Sequence, residues 1–296
     1  MRILITGAAG FIGNALAAEL QNSEHEVILT DIRMPEELYG HRYTYADLTD
    51  PKAVDNLPDV DVVYHMCAYN NTAHFYSKPL SVIDSTLTPT IYLLHRYRDI
   101  QKFVYASSSE IYAGGVQLGI VDIPTPEVNV GVINGIDNPR WSYAGSKLMG
   151  ELLVHAAHVE HGLDYTIIRY HNVYGKRQVA HFIPEYAERI KNGDYTLYGA
   201  EQTRAFLYID DAAALTAMVS DRITNGTIHI GNPDELTIET VAKHIRDILN
   251  IPETGNTSAA PEGSVNRRCA DITQLRELFP EFKFTDLDTG LRKTLL

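Results

Sequence analysis

Short runs of β-branched and other apolar residues alternate along the chain with longer amphipathic stretches. Ile3 to Thr6, Val27 to Leu29, Val62 to His65, Phe103 to Ala106 and Tyr165 to Arg169 read as strands, and about Phe11 to Gln21 reads as a helix, with further helical segments between the later strands. Strands separated by crossovers of helical length predict βαβ units and hence a parallel sheet covered on both faces. After Arg169 the regularity falls, with Tyr-, Pro- and Gly-containing stretches before Ala212 and Ile272, although Thr227 to Asn232 again reads as a buried strand. The predicted class is α/β: a doubly wound parallel sheet with a smaller, intertwined C-terminal substrate lobe. Residues 1–170 make the sheet domain, which also draws in about 205–231, and residues 171–204 and 232–296 make the lobe.

Composition narrows the function more than the fold. Among 296 residues, 45% are hydrophobic and 21% charged, ordinary for a globular protein, and the formal net charge of -13 argues against a nucleic-acid partner, whose phosphates are held by clustered Lys and Arg. Cys67 and Cys269 have neither disulfide nor metal-ligand spacing and read as packed small hydrophobes. His65 and His171 lie in apolar strand contexts without a companion ligand, so no metal site is expected. The N-terminus is already a strand and turn, and no apolar run approaches a membrane span, so the expected location is cytoplasmic with no membrane partner.

Candidate chemistry begins with ILITGAAGFIG, where Gly7, Gly10 and Gly13 stand between a strand and a helix that opens on Phe11 and Ile12. The first glycine permits a tight turn, the second lets backbone approach a pyrophosphate, the third lets helix and strand pack closely, and the helix N-terminus offers amides to phosphate. The second strand ends in Asp31, eighteen positions past Gly13, where a carboxylate accepts from both hydroxyls of an adenosine ribose and repels a 2′-phosphate. NAD is therefore expected over NADP, with Arg33 as the residue able to reverse that preference. A solvated loop carboxylate is the plainer reading of Asp31.

A second constellation follows. Tyr143 and Lys147 are i and i+4, neighbours on one helix face, and a Lys beside a phenol favours the phenolate that takes a proton from an alcohol undergoing oxidation. The strand Phe103 to Ala106 runs into Ser107-Ser108-Ser109-Glu110, at the carboxyl end where ligands gather in an open parallel sheet. Ser108 would then hydrogen-bond the reacting hydroxyl. Taken alone, this segment is a serine-rich turn with Glu110 as a capping carboxylate.

Together with Asp47-Leu48, HMCA ending at Ala68, SSSEIY, YAGSK, RYHNVYG and RAFLYIDDAA, these residues resemble the extended short-chain dehydrogenases/reductases, specifically the NAD-dependent epimerase/dehydratase family, over essentially the whole chain. The resemblance implies a Rossmann-type fold, with Asp47 and Leu48 near the adenine and Ala68 along the cofactor. It places Asn172 near the substrate diphosphate or sugar, Arg204 and Arg268 on the diphosphate, and Ser109 beside the sugar. Local motifs, notably NPRWSY before Ser146-Lys147 and RRCADI at Arg267 to Ile272, are most similar to the UDP-glucuronate decarboxylase and sugar 4,6-dehydratase branches. Four positions depart from the family pattern: Thr86 for Asn, Lys176 for Pro, Ala205 for Asp, and Ser109 for the Asp of dehydratases.

The implied activity is NAD-dependent modification of a nucleotide-sugar through a transient 4-keto intermediate, of epimerase, dehydratase or decarboxylase type, in which Ser108, Tyr143, Lys147 and Glu110 are catalytic. A simple sugar dehydrogenase or reductase, or an NAD-sensing module without turnover, are the alternatives. The resemblance also implies a homodimer through helices near Thr90 to Arg98 and Tyr143 to His161. The stretch from Gly114 to Asn138, long and rich in Gly and Pro, reads either as a mobile lid over the sugar or as a static surface excursion.

Overall fold

A computed structural model describes residues 1–69, 72–252, 254–260 and 265–296. In chain order the elements are β1 (Arg2–Thr6), α1 (Phe11–Glu19), β2 (Glu26–Asp31), β3 (Arg42–Tyr45), α2 (Pro51–Asp55), β4 (Val62–His65), α3 (Thr72–Ser77), α4 (Pro79–Arg96), β5 (Lys102–Ser108), α5 (Ala113–Gln117), α6 (Trp141–His161) and β6 (Tyr165–Tyr170). There follow β7 (Val173–Tyr174), α7 (Phe182–Lys191), β8 (Leu197–Tyr198), β9 (Thr203–Ala205), β10 (Leu207–Tyr208), α8 (Ile209–Arg222), β11 (Gly226–Ile230), β12 (Glu235–Thr237), α9 (Ile238–Leu249), β13 (Thr257–Ser258), β14 (Arg267–Arg268), α10 (Thr273–Leu278) and α11 (Leu287–Leu295).

The chain forms two compact units, the first made of Met1–Gly115, Asn129–Tyr170 and Ala213–Ile228, the second of Val116–Val128, His171–Ala212 and His229–Leu296. A seven-stranded sheet of order β11-β6-β5-β4-β1-β2-β3 dominates the first, and β1 to β6 pair in parallel. Strand order reverses at β1, which lies between β2 and β4; in doubly wound sheets this reversal opens a crevice at the strand carboxyl ends. The central strands are buried along nearly their whole length, Leu4, Ile5, Val63, Phe103, Val104 and Ile168 completely, because helices cover both faces. Helix α6 stops at Gly162, whose φ of +72° accommodates the left-handed turn that caps it.

The second unit is built on shorter pieces: a three-stranded sheet of order β12-β9-β14 and the two-stranded pairs β10-β7 and β13-β8. Its longest amphipathic helix is α9, where Ile238, Val241, Ala242, Ile245 and Ile248 recur at three- and four-residue spacing on the buried face and the Thr237 side chain caps the Thr240 amide.

Two boundaries differ from the sequence expectation. Residues 116–128 join the second unit: Thr125 donates to the Cys269 carbonyl at 2.8 Å, the Asp271 amide donates back to Thr125 at 2.9 Å, and the Glu127 carboxylate accepts from the His229 amide at 2.5 Å. Residues 205–212 also fall in the second unit, so β11 supplies the late sheet strand without them. Pairings between residues more than a hundred positions apart leave no trace in local periodicity. The segment considered as a lid is tied by these bonds and, nearer its start and end, by Val132 donating to Ile111 and Trp141 donating to Asn138.

Candidate active site

The glycine loop shows its constraints directly. Gly7 has a φ of +66°, and a Cβ there would lie 2.8 Å from the Cys67 backbone. A Cβ on Gly13 would come within 2.3 Å of the Gly7 carbonyl, so helix α1 can pack against the turn only with glycine at that position. Gly10 is the N-cap residue of α1 and donates to Gly7 at 2.9 Å; a Cβ on it would crowd that same carbonyl at 2.9 Å. Phe11 and Ile12, half-buried, form the first turn whose amides face the loop mouth. Asp31, at the end of β2, accepts from the Ala9 amide at 3.0 Å through one oxygen and from the Arg33 amide at 3.0 Å through the other. The carboxylate thus braces the loop.

Other predicted cofactor residues divide. Ala68 packs against Phe75, Val82 and Tyr143. Asp47 is exposed, its carboxylate accepting from the Thr49 amide at 3.0 Å and hydroxyl at 2.7 Å. Leu48 is buried in the core with Ala46, Val54 and Leu57, so its side chain serves packing and only its backbone is left to meet an adenine.

At the carboxyl end of β5, Ser108 caps the short 3₁₀ turn Ser109–Tyr112, accepting from the Glu110 amide at 3.2 Å. Its hydroxyl is also near enough to the Tyr143 phenol to oppose the rise in that group's pKa. Tyr143 is buried on the first turn of α6, stacked on Phe75 with ring centroids 5.0 Å apart and planes 8° from parallel, while the Ser142 hydroxyl donates to the Phe75 carbonyl at 3.3 Å. Lys147, one turn on, is buried, 5.9 Å from the Tyr143 ring centroid, and donates to the Ala106 carbonyl at 2.6 Å. Burial lowers its pKa to about 8, with the Cys67 thiol and the Glu151 carboxylate opposing the shift.

Burial pushes the Tyr143 pKa up, the Ser108 hydroxyl opposes it, and the Glu110 charge adds to it. The Lys147 ammonium donates to the Ala106 carbonyl.

Sequence reasoning missed four participants. Glu151 takes the Ser107 hydroxyl at 2.5 Å and Arg169 in a bidentate pair at 2.9 and 2.6 Å, while the other arm of Arg169 reaches the Tyr112 hydroxyl. Both partners are buried, and the network ties α6 and β6 to the two ends of the Ser107–Tyr112 segment. The third is Phe75. The fourth is Arg140, whose guanidinium lies 3.6 Å from the Glu110 carboxylate. Tyr143, Lys147 and Glu151 at i, i+4 and i+8 were visible as one helix face; Arg140 stood inside NPRWSY without a role.

In the second unit the three predicted substrate residues come together. Asn172, in a left-handed conformation with φ of +40°, donates to the Ala205 carbonyl at 3.0 Å and to the Arg268 carbonyl at 3.4 Å, while Arg268 pairs with Arg204 across β14 and β9. Arg204 donates to the Thr203 carbonyl at 2.7 Å, the Asn266 carbonyl at 3.2 Å and the Gln202 side chain at 3.1 Å. Ser109 is buried at the head of the 3₁₀ turn. His65 is a core residue as expected, with Thr6 at 2.8 Å and Thr90 at 3.0 Å, and burial lowers its pKa to about 3. Among the described residues no helix is long and apolar enough to cross a membrane.

A reversed doubly wound sheet, a glycine turn closed to any Cβ, an acidic residue ending β2 and a Ser-Tyr-Lys group at the end of β5 define a dinucleotide-dependent enzyme acting on a hydroxyl. The NAD dependent epimerase/dehydratase family matches residues 3–231, and the chain belongs to it. It is an NAD-dependent enzyme, and the residues at the loop fit that cofactor. It is 31% identical over 316 residues to a UDP-N-acetyl-alpha-D-glucosaminuronate decarboxylase of Bacillus cytotoxicus, covering 99% of this chain and 96% of the relative. Among solved structures, UDP-glucuronic acid 4-epimerase from Bacillus cereus in complex with NAD is 26% identical with a TM-score of 0.82, covering 100% of this chain and 97% of that one. A UDP-glucose 4-epimerase from Thermotoga maritima reaches a TM-score of 0.89 at 24% identity, covers 100% of this chain and 97% of that one, and shares the fold.

Proposed function

We propose that the modification this enzyme performs is decarboxylation of a UDP-hexuronate. The chain works on a nucleotide-sugar through a transient 4-keto intermediate, in keeping with the UDP-sugar decarboxylases and epimerases it is similar to. The observation that carries the reading is Ser108 beside the Tyr143 phenol and buried Lys147, with the Glu110 carboxylate on the same turn as Ser108. Elimination of a hydroxyl needs an acid for the departing oxygen, and Ser109 stands next to Glu110 where a second carboxyl would be useful. Loss of carbon dioxide needs none.

NAD, when bound, supplies the oxidant that turns the C4 hydroxyl into a ketone and the reductant that can restore it. Tyr143 takes the C4 hydroxyl proton, and Ser108 orients that oxygen. With C4 a ketone, the C6 carboxylate is a β-keto acid anion: the C5–C6 bond breaks, carbon dioxide leaves, and the electron pair passes to the C4 oxygen as an enolate held by the Tyr143 and Ser108 hydroxyls. C5 then takes a proton from water, which we propose the Glu110 carboxylate positions. Arg204, Arg268 and Asn172 are proposed to hold the diphosphate and sugar, and Asp31 to set NAD above NADP.

The test is to follow UDP-glucuronate and its 2-acetamido analogue by NMR and mass spectrometry in deuterated water. A product that has lost carbon dioxide and carries deuterium at C5 supports the reading. Unchanged mass with inversion at C4 makes the enzyme a 4-epimerase, and loss of water makes it a dehydratase.

A homodimer is also proposed. On α6, Met149, Leu152 and Val159 are exposed at three- and seven-residue spacing, and on α4 Leu80 and Ile83 are exposed as well. A second copy covering both helices would remove this apolar surface from water. Light scattering at micromolar concentration should return twice the chain mass, and the chain mass alone would refute the pairing.

A further inference from the structure

Arg140 is a charge at the reacting end of the site that the mechanism above does not use. It immediately precedes α6 and lies three residues before Tyr143, so the helix that presents the phenol also fixes the guanidinium. Its plane is backed by Trp141, with Cζ 5.3 Å from the ring, and its backbone amide donates to the Asn138 side chain at 3.0 Å. On the other side, Nη2 is 3.6 Å from a Glu110 oxygen, a separation longer than a closed charge-assisted hydrogen bond. The two side chains keep 16% and 22% of their surface open, and Nε of Arg140 is buried with no hydrogen-bond partner among the described residues. The pair is neither sealed in the interior nor committed to a tight mutual contact.

We infer that Arg140 is the specificity residue that admits a carboxylate at sugar C6, an inference that rests on the decarboxylase reading. Ser108 and Tyr143 meet at the C4 oxygen, and the C6 substituent hangs from the neighbouring carbon. Glu110 lies two residues beyond Ser108 and Arg140 three before Tyr143, so both charges flank that place. A neutral hydroxymethyl group can be accepted beside Glu110 alone. A carboxylate cannot, because two like charges in a partly desolvated cleft repel strongly. Arg140 brings the local charge to zero and keeps donors that can turn to the incoming carboxylate in a fork. The same cation holds Glu110 in place when no carboxylate is present.

Binding separates this role from a structural one. Calorimetry with UDP-glucuronate and UDP-glucose, on the NAD-loaded enzyme, should show Arg140→Gln weakening the uronate by about tenfold or more, the loss of one charge-assisted contact, and the neutral sugar by less than about twofold. Arg140→Lys, which keeps the charge and loses the fork, should fall between. Adding Glu110→Gln to Arg140→Gln should restore part of the uronate affinity, because the repelling carboxylate is then gone as well. Equal weakening of both sugars, or no change in either, would overturn the inference. Failure of the wild type to release carbon dioxide from a UDP-hexuronate that it binds overturns the decarboxylase reading instead, while the binding ratio still decides what Arg140 reads.

Discussion

The two units place their polar groups on different kinds of support. In the first, Ser108, Tyr143 and Lys147 sit at the ends of a seven-residue strand and a 21-residue helix; Glu151 of that helix takes the Ser107 hydroxyl of the strand and forms a buried ion pair with Arg169 of β6. In the second, Arg204 and Arg268 ride on strands of three and two residues, and Asn172 donates from a left-handed turn to the Ala205 and Arg268 carbonyls. The contrast teaches that positional accuracy is concentrated at the groups proposed to do the chemistry, and that the groups proposed to bind phosphate hang on short strands joined by a few hydrogen bonds. Long elements packed on a core can hold atoms to within a fraction of an ångström; two-residue strands hold a charge in a region.

The sharpest way to break that contrast is at the phenol. Tyr143→Phe should lower kcat by about 10² to 10⁴, the usual cost of a lost proton acceptor, while the melting temperature stays close to wild type because the ring keeps its stack on Phe75. Turnover within tenfold of wild type would take the proton transfer away from the rigid unit.

Next in size is the ion pair itself. Glu151→Gln keeps the shape of the side chain but leaves Arg169 buried with its charge unmatched, and should cost about 3 to 5 kcal/mol of unfolding free energy by urea titration. A loss below about 1 kcal/mol would mean that water reaches the pair and that it is not what holds the strand end.

Legibility from sequence follows the same division. Val62–His65 has the bounds its pattern predicts, and β1, β2, β5 and β6 extend their predicted runs by only one to three residues, because buried parallel strands are continuous apolar runs. The glycine loop and the Tyr-Lys face were readable because turn geometry and the helical repeat each act within a few residues. Arg204, Arg268 and Asn172 were reachable only through family resemblance, since strands this short carry no period. The Glu151–Arg169 pair joins residues eighteen apart on different elements, and the exchange of residues 116–128 into the second unit depends on Thr125 meeting residues near 270. Both are properties of the packed chain.

A smaller effect tests how dry the rigid unit is. His65 is buried and neutral, its pKa lowered to about 3 by burial, so between that value and the ordinary 6.5 the unfolded chain binds a proton that the folded chain refuses. Its contribution to stability is present above pH 6.5 and is lost progressively as pH falls toward 3. From pH 7 to pH 5 the loss attributable to this residue is about 2 kcal/mol. In His65→Gln the drop over that interval should shrink by about this amount relative to wild type. Equal drops would mean that the imidazole titrates normally.

The smallest expected change lies in the second unit, and it separates a phosphate grip from a strap. Arg204 donates to the Thr203 and Asn266 carbonyls and the Gln202 side chain, neutral acceptors at a half-exposed site, with the Glu235 charge also within reach. Those bonds are individually worth little, and Arg204→Ala should change unfolding free energy by no more than about 0.5 kcal/mol. A diphosphate offers charged oxygens in their place, a stronger match for a guanidinium, so the same substitution should weaken binding of UDP alone by about tenfold. The two numbers move oppositely under the competing role. If Arg204 chiefly straps β9 to the chain before β14, the melting temperature falls by several degrees and the affinity for UDP, measured below the transition, stays within about twofold of wild type.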